Sequence, residues 1–310
     1  MEKNSECETI SHLELLSALG ITGNSCAIPH DGKNLSYFSL TEAEKDQVVL
    51  EVLQTLVNPK LQRVGEHRQA IWESAWKAQA EKFSTKHYAP DGLVPDFMSA
   101  TPIVRFQQRY IRPQSPEFEY AFFDVFRSWL FKTYCMDSPI IYEFGCGSGF
   151  NLVALSAINP RIQMVGLDWA EHSVRLIEEI SSTHRLNLEP RTFNFFEPNE
   201  NVCLDPQGIA LTICALEQVG ERFMPFVEYL LRQKPKLCIH IEPIYEFYDS
   251  TNLLDYLAIQ YHEKRNYLRG FWPCLRELEG QGRILIHKAR RLYFGSLFHE
   301  AYNYVIWEPL

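Results

Sequence analysis

The length, composition and charge of the chain exclude several classes of protein. With 310 residues, 46% of them hydrophobic, it is long enough for one large core plus an appended layer, or for two domains. A net charge of −9 argues against nucleic acid as the main partner, because little would displace the counterions of a phosphate backbone. No apolar run approaches the length that spans a bilayer, so we expect no membrane partner.

The N-terminus and the cysteines bear on location. The first seven residues contain no apolar segment of the kind that secretory signals carry. The eight cysteines are scattered and include no C-x-x-C pair. We therefore expect reduced thiols in a cytoplasmic protein and no metal site.

Residues 1–135 look helical and unlike the rest of the chain, which predicts a cap or lid region. Thr41 and Glu44 form a capping-box pattern that opens a helix. A second helix carries Trp72 and Trp76, four residues apart. Such tryptophans usually pack in a core, and the alternative is that they roof a ligand.

Helical periodicity fails between residues 84 and 115, where four prolines interrupt it. A non-periodic stretch of this length inside a compact protein is usually a working loop, so we expect part of a lid over a ligand site. Arg109, Tyr110 and Arg112 are its candidate contacts, because a guanidinium there could meet a ligand carboxylate. Arginines paired with surface acids are an equally good interpretation.

The chain is organised around the segment 139–168, a buried strand, a glycine loop, a helix and a second strand. The loop carries Gly145, Gly147 and Gly149, and the second strand ends at Asp168. Glycines let the backbone take positive φ and leave no Cβ between main chain and ligand. An acid about 20 residues after the loop is placed to bond ribose hydroxyls.

The rest of the chain alternates strands with helices, which predicts a mostly parallel sheet covered on both faces. We expect strands over residues 192–196, 209–214 and 237–242. A helical insertion follows over 250–281, and two strands close the chain after it.

The pattern E-x-G-x-G-x-G, with Asp168 closing the second strand, resembles motif I and the ribose-binding acid of the class I S-adenosylmethionine (SAM)-dependent methyltransferases. Dinucleotide-binding proteins instead carry G-x-G-x-x-G, and Phe150 occupies the position of their third glycine. Leu216-Glu217-Gln218-Val219 also looks like the L-E-H-V of small-molecule methyltransferases of the ubiquinone/menaquinone type, with Gln218 in place of histidine. The resemblance covers about residues 138–310.

The resemblance implies a Rossmann-like α/β fold in residues 136–310, with a seven-stranded, mostly parallel sheet and a C-terminal antiparallel hairpin. It implies SAM as cofactor and methyl transfer to O or N of a small-molecule acceptor, in a chain that could form a homodimer. Ligands of such sheets lie beyond the carboxyl ends of the strands. That rule selects as cofactor-binding residues Glu143, Gly145, Gly147, Gly149, Asp168, Trp169, Asn194, Phe195 and Ala215.

Candidate catalytic bases lie near the ends of the fourth and fifth strands: Glu217, His240 and Glu242. His240 and Glu242 are two apart on a strand and face the same side, and Glu242 at the strand exit is our first choice. A mid-strand histidine such as His240 is more often a core residue. Tyr245 and His262, among the aromatics of the insertion, would shape a pocket for an amine or phenolic acceptor.

Two alternatives stay open at this point. The same fold could consume SAM itself, by cyclisation or cleavage that releases methylthioadenosine. It could also be a non-catalytic partner subunit that docks through its N-terminal helices. The sequence leaves open the acceptor, the atom methylated, the oligomeric state and the role of residues 1–40.

Overall fold

Two β-sheets and nine α-helices build the part of the chain that the computed structural model describes, residues 7–21, 32–98 and 102–310. The strands are β1 (Cys7–Thr9), β2 (Ser36–Ser39), β3 (Val104–Phe106), β4 (Arg109–Pro113), β5 (Ile140–Phe144), β6 (Gln163–Asp168), β7 (Leu188–Thr192), β8 (Ile209–Ile213), β9 (Leu237–Ile241), β10 (Ile284–Arg290), β11 (Phe294–Gly295) and β12 (Tyr304–Pro309). The helices are α1 (His12–Leu19), α2 (Glu42–Val57), α3 (Gln69–Thr85), α4 (Phe118–Leu130), α5 (Phe150–Ile158), α6 (Glu171–His184), α7 (Met224–Gln233), α8 (Leu253–Arg265) and α9 (Phe271–Gly280).

The larger sheet has seven strands in the order β10-β12-β9-β8-β5-β6-β7. Strands β9, β8, β5, β6 and β7 run parallel, while β12 and β10 pair antiparallel. This confirms the predicted Rossmann-like α/β fold with its C-terminal antiparallel hairpin. The chain moves outward from β5 to β7 and then returns to β8 on the other side of β5. The strand order therefore reverses between β5 and β8, where open α/β sheets form their ligand crevice.

Helices cover both faces of this sheet, which explains the composition of its strands. Every residue of β5 and of β8 is buried, as expected for parallel strands between two helical layers. Phe122 and Phe126 of α4 belong to the hydrophobic core on one face. Phe226 and Tyr229 of α7 belong to the core on the other face.

The edge strand β7 begins four residues before the strand that we predicted over 192–196. It contains Pro190, which an edge strand tolerates because one side of its backbone has no partner. Phe193 and Phe195, read from sequence as strand residues, pack against Phe226 beyond the strand end. The shift leaves this aromatic run at the carboxyl edge of the sheet.

A second sheet lies mostly within the region that the sequence predicted to be helical. Its five strands are antiparallel, in the order β1-β2-β4-β3-β11. Strands of two to five residues are too short to show an alternating pattern. One of them, β11, comes from the C-terminal part of the chain and pairs Phe294 with Phe106. Residues 1–135 therefore contribute strands as well as the helices predicted there, and these strands were not predicted from the sequence.

The helices of the N-terminal region follow their sequence signals. The Thr41 side chain accepts a hydrogen bond from the Glu44 N–H, and the Glu44 carboxylate accepts one from the Thr41 N–H. The predicted capping box therefore opens α2. Within the described residues, no helix combines the length and the apolar character needed to cross a membrane.

Candidate functional site

The glycine loop connects β5 to α5 at the carboxyl edge of the larger sheet. Gly145 and Gly147 have φ of +70° and +52°, in the left-handed region that favours glycine. A Cβ added to Gly145 would lie 2.4 Å from the Cβ of Ala215, and one added to Gly147 would lie 2.5 Å from Cζ2 of Trp76. The loop therefore needs glycine at both positions, for backbone conformation and for space.

Asp168, the last residue of β6, is held against this loop. Its Oδ2 accepts a hydrogen bond from the Gly147 N–H at 3.0 Å, and its Oδ1 accepts one from the Ala170 N–H at 2.9 Å. Burial raises the pKa of Asp168 to about 6, although these backbone donors oppose the rise. Each carboxylate oxygen can accept a further hydrogen bond. The carboxylate is thus fixed in position and still able to bind a ligand.

Asp168 borders a cavity of about 520 Å³, counted with its mouth. Its walls come from α3, the glycine loop and the segments after β6, β7 and β8: Trp72, Trp76, Gly145, Asp168, Trp169, Phe193, Asn194, Phe195, Phe196, Cys214, Ala215, Gln218 and Val219. The structure therefore brings together six of the predicted cofactor residues: Gly145, Asp168, Trp169, Asn194, Phe195 and Ala215.

A second cavity of about 510 Å³ adjoins the first. The two share Trp72, Trp76, Gly145 and Cys214, and we call them together the cleft. The remaining walls of the second cavity are Pro95, Met98, Phe123, Cys146, Gly147, Ser148, Phe150, Asn151, Ile213 and Tyr302. Pro95 and Met98 come from the segment predicted to form a lid, so part of that segment lies at the cleft.

Trp72 and Trp76 stack on each other with ring centroids 5.5 Å apart, and both line the cleft. Between them in sequence, Glu73 accepts hydrogen bonds from the N–H groups of Glu171 and His172 at 2.6 and 3.1 Å. These bonds tie α3 to the start of α6. Both tryptophans are half-buried and line the cleft, and their role as the roof of a ligand stays a prediction.

A buried polar network lies behind the glycine loop. Glu143 Oε1 accepts a hydrogen bond from Asn151 Nδ2 at 2.7 Å, and Asn151 Oδ1 accepts one from Arg127 at 2.9 Å. Burial raises the pKa of Glu143 to about 8. The second oxygen of Glu143 and the Ser148 hydroxyl have no hydrogen-bond partner among the described residues. Glu143 and Gly149 do not line the cleft themselves, whereas Ser148 and Asn151 do.

Glu242, our first choice of base, holds the loop after β8. Its fully buried carboxylate accepts hydrogen bonds from the N–H groups of Ala215, Leu216 and Glu217 at 3.2, 3.0 and 3.2 Å. Burial raises the pKa of Glu242 to about 7. Glu242 is not among the residues that line the cleft. The structure therefore places this carboxylate inside the protein, against backbone donors.

His240 and Glu217 also lie outside the cleft. His240 is a core residue: its Nδ1 lies 3.0 Å from Thr212 Oγ1, and its ring packs against Trp307. Burial lowers the pKa of His240 to about 3, so its ring is neutral. Glu217, which belongs to the loop after β8, is buried, and its carboxylate accepts a hydrogen bond from Gln218 at 2.8 Å. Burial raises the pKa of Glu217 to about 8.

The structure brings Tyr245 and His262 together, but in a separate polar cavity that shares no lining residue with the cleft. The Tyr245 hydroxyl donates a hydrogen bond to Glu263 at 2.9 Å. The predicted acceptor residues and the predicted cofactor residues thus line two different cavities.

The predicted lid residues Arg109, Tyr110 and Arg112 belong to β4 of the smaller sheet and do not line the cleft. Arg109 donates to the hydroxyl of Tyr37 at 2.9 Å, and Arg112 pairs with Glu44. Tyr110 is buried. The arginines therefore follow the second interpretation given above, pairing with groups of the protein itself.

Several cleft residues were not selected from the sequence, among them Cys214, Gln218 and Tyr302. Cys214 directly follows β8 with φ of +50°, and the strand-end rule would have found it one position before Ala215. Gln218 accepts a hydrogen bond from Arg68 at 3.0 Å. Tyr302 precedes β12 and donates to Glu119 at 2.9 Å. No local signal marks Tyr302, because only the folded hairpin brings it to the cleft.

No family model and no curated protein matches the chain. Solved structures that resemble it include the small RNA methyltransferase HEN1 (TM-score 0.43, 18% identity, covering 58% of this chain and 24% of that one). They also include the O-methyltransferase NcsB1 from neocarzinostatin biosynthesis (0.42, 14%, 62% and 58%) and the cyclase SpnF (0.47, 11%, 62% and 82%). The match thus spans about a quarter of HEN1 and just over half of NcsB1. The strand order and the glycine loop give the chain a Rossmann-like α/β fold.

Proposed function

We propose that the chain is a SAM-dependent methyltransferase that transfers a methyl group to an oxygen or nitrogen atom of a small molecule. The observation that carries the proposal is Asp168, a carboxylate fixed by two backbone N–H groups at the end of β6 and bordering an aromatic cleft. A carboxylate in this position is placed to accept hydrogen bonds from a ribose diol.

The first half of the cleft suits an adenosine group. Trp169 and Phe195 offer ring faces that can stack on a base, and Asn194 offers an amide beside them. Asp168 would hold the ribose. Gly145 lies in the wall of the cleft, where an added Cβ would meet Ala215. Because Gly145 has no side chain, the ribose can approach the backbone closely at this position.

The second half of the cleft suits a methionine group with a sulfonium. The Ser148 hydroxyl, which has no partner among the described residues, and the Asn151 amide are polar groups for the amino-acid end. The stacked rings of Trp72 and Trp76 would lie near the cation, which aromatic faces attract. In this proposal α3 and the segment around Met98 form the roof.

SAM, when bound, supplies an electrophilic methyl group. The chain would align the acceptor with it and keep water out, and alignment supplies much of the acceleration in a displacement of this kind. The titratable side chains lining the cleft are Cys146, Asp168, Cys214 and Tyr302, and burial raises the pKa of each. Asp168 is assigned to the ribose. The cleft therefore favours an acceptor whose attacking atom already carries a free lone pair.

Incubation with SAM and a deproteinised small-molecule extract tests the proposal. We expect mass spectrometry to find S-adenosylhomocysteine together with a metabolite that has gained one methyl group. Asp168→Ala removes both products, whereas Asp137→Ala, at an exposed acid, changes neither. Methylthioadenosine in their place would show that SAM itself is the substrate. A wild-type chain that binds no SAM in calorimetry would point to a non-catalytic partner subunit.

A further inference from the structure

A polar cavity lies on the far side of the loop that follows β8. It has a volume of about 650 Å³, counted with its mouth as for the cleft, and its walls include Glu221, Tyr245, His262 and Asn266. The loop, which includes Gly220, packs directly against Asn266 of this cavity. A Cβ added to Gly220 would lie only 2.3 Å from Nδ2 of Asn266. One face of the loop thus borders the cleft and the other borders this space, which we call the His262 cavity.

His262 is the unusual member of this cavity. Its side chain is 1% exposed, and neither ring nitrogen has a hydrogen-bond partner among the described residues. The rings of Tyr248, Tyr267 and His299 fix it, with centroids 5.3, 5.6 and 5.6 Å away. Buried polar groups in folded proteins almost always have a partner in the protein, in water or in a ligand. His262 therefore presents unused hydrogen-bonding capacity at a cavity large enough for a small molecule.

The charged groups around the cavity argue against a charged ligand. Arg269 donates to Glu221 at 2.6 Å, and Glu263 accepts the Tyr245 hydroxyl at 2.9 Å. The second cationic side chain of the wall, Arg63, donates to Asn266 Oδ1 at 2.8 Å. Two arginines and two glutamates thus balance the formal charge of the wall, which favours neither an anion nor a cation.

The protonation state of His262 decides what it can offer. Burial lowers the pKa of His262, and the neighbouring side chains of His299 and Arg105 lower it further. A neutral imidazole has one N–H donor and one acceptor nitrogen. The described residues contain no group of three or more histidine, cysteine or acidic side chains placed to hold a metal ion, so hydrogen bonding is the chemistry available here.

We propose that the His262 cavity is a second ligand site, which binds a small uncharged molecule carrying both a hydrogen-bond donor and an acceptor, of the polyol or carboxamide class. The hydroxyl or amide groups of such a molecule satisfy the two nitrogens of His262, and its neutrality matches the balanced charges on the wall. This site stands independently of SAM binding in the cleft.

Saturation-transfer NMR on the full chain without SAM tests the site, with myo-inositol and nicotinamide as uncharged probes and inorganic phosphate as the anionic probe. We expect at least one uncharged probe to bind the wild-type chain. His262→Phe keeps the ring but removes both nitrogens, so it should weaken that probe at least about ten-fold. His262→Gln keeps a donor and an acceptor and should retain part of the affinity. His67→Phe, at an exposed histidine, serves as the matched control.

The ¹⁵N chemical shifts of the His262 ring give a second readout that needs no variant. These chemical shifts should change when the uncharged probe that binds is added, and they should not change when phosphate is added. The proposal is overturned if neither uncharged probe binds at about 10 mM, a concentration that detects millimolar affinities. Equal binding to His262→Phe, or stronger binding of phosphate, would also overturn it, as would ring shifts that no probe moves.

Discussion

Two carboxylates at the same edge of the larger sheet look alike in sequence and differ in the structure. Asp168 ends β6, accepts two backbone N–H groups and borders the cleft. Glu242 directly follows β9, accepts three consecutive backbone N–H groups and lies outside the cleft. The first has capacity left for a ligand, whereas the second is occupied in holding a loop. A place at the strand end therefore does not decide a role; the donors that surround the carboxylate and its access to a cavity do.

We expect the largest effect on SAM affinity from Gly145→Ala, in the glycine loop that Asp168 contacts. The new Cβ would meet Ala215 at 2.4 Å from a backbone with φ of +70°, so the wall that the ribose must approach would be displaced. We expect roughly 1000-fold weaker binding in calorimetry, about 4 kcal/mol. Gly280→Ala is the control, because nothing lies within 4 Å of its added Cβ. Unchanged affinity in Gly145→Ala would place SAM elsewhere.

The pH dependence of SAM binding should report Asp168. Burial raises the pKa of Asp168 to about 6, and the ribose hydroxyls need its ionised form. Only about a tenth of the carboxylate is ionised at pH 5, so affinity should fall about ten-fold below its value at pH 7. In Asp168→Asn this dependence should vanish. A wild-type affinity that stays flat from pH 5 to 7 would contradict the assignment.

The same pKa shift has the opposite consequence for folding. The pKa of Asp168 rises from 3.8 to about 6, so the folded state binds the proton more tightly than the unfolded state. Its contribution to the free energy of unfolding is therefore full below pH 3.8 and is lost as the pH rises through 6. The difference in unfolding free energy between wild type and Asp168→Asn, measured with urea across this range, should follow that direction.

A smaller effect is expected from Trp72→Ala, which removes part of the roof. The lost aromatic contact with the cation and the added access of water should weaken SAM binding roughly five-fold. Ile71→Ala, at the exposed neighbouring residue of the same helix, should stay near wild type. Equal affinities for the two variants in calorimetry would show that Trp72 does not roof the ligand.

Glu242→Gln should affect stability far more than SAM affinity. Exchanging an acceptor oxygen for an NH₂ group leaves buried N–H donors unpaired, which should lower the free energy of unfolding by about 2 kcal/mol. Urea unfolding measures this, with Glu178→Gln on the exposed face of α6 as the control. If stability were unchanged while turnover disappeared, Glu242 would act on the substrate after all.

The glycine loop and Asp168 could be predicted from the sequence because the strand, the loop, the helix and the acid follow one another within one continuous segment of about thirty residues. Asn194 was selected although the sequence placed it within a strand, whereas in the structure it follows the end of β7. Both positions lie at the carboxyl edge of the sheet, which is where the cleft forms. Arg109 was selected from a non-periodic segment and Tyr245 from the aromatics of an insertion, and neither signal carries information on the direction of a side chain. The smaller sheet was missed because Phe294 and Phe106 pair only in the folded chain.

Titration of SAM into wild type, Asp168→Asn and Glu242→Gln side by side in a calorimeter decides whether Asp168, and not Glu242, binds the ligand. We expect Asp168→Asn, which loses charge-assisted hydrogen bonds to the ribose, to bind SAM roughly 100-fold more weakly than wild type. Glu242→Gln, once folded, should stay within about three-fold of wild type. A wild-type chain that takes up no SAM, or a larger loss in Glu242→Gln than in Asp168→Asn, would contradict this expectation.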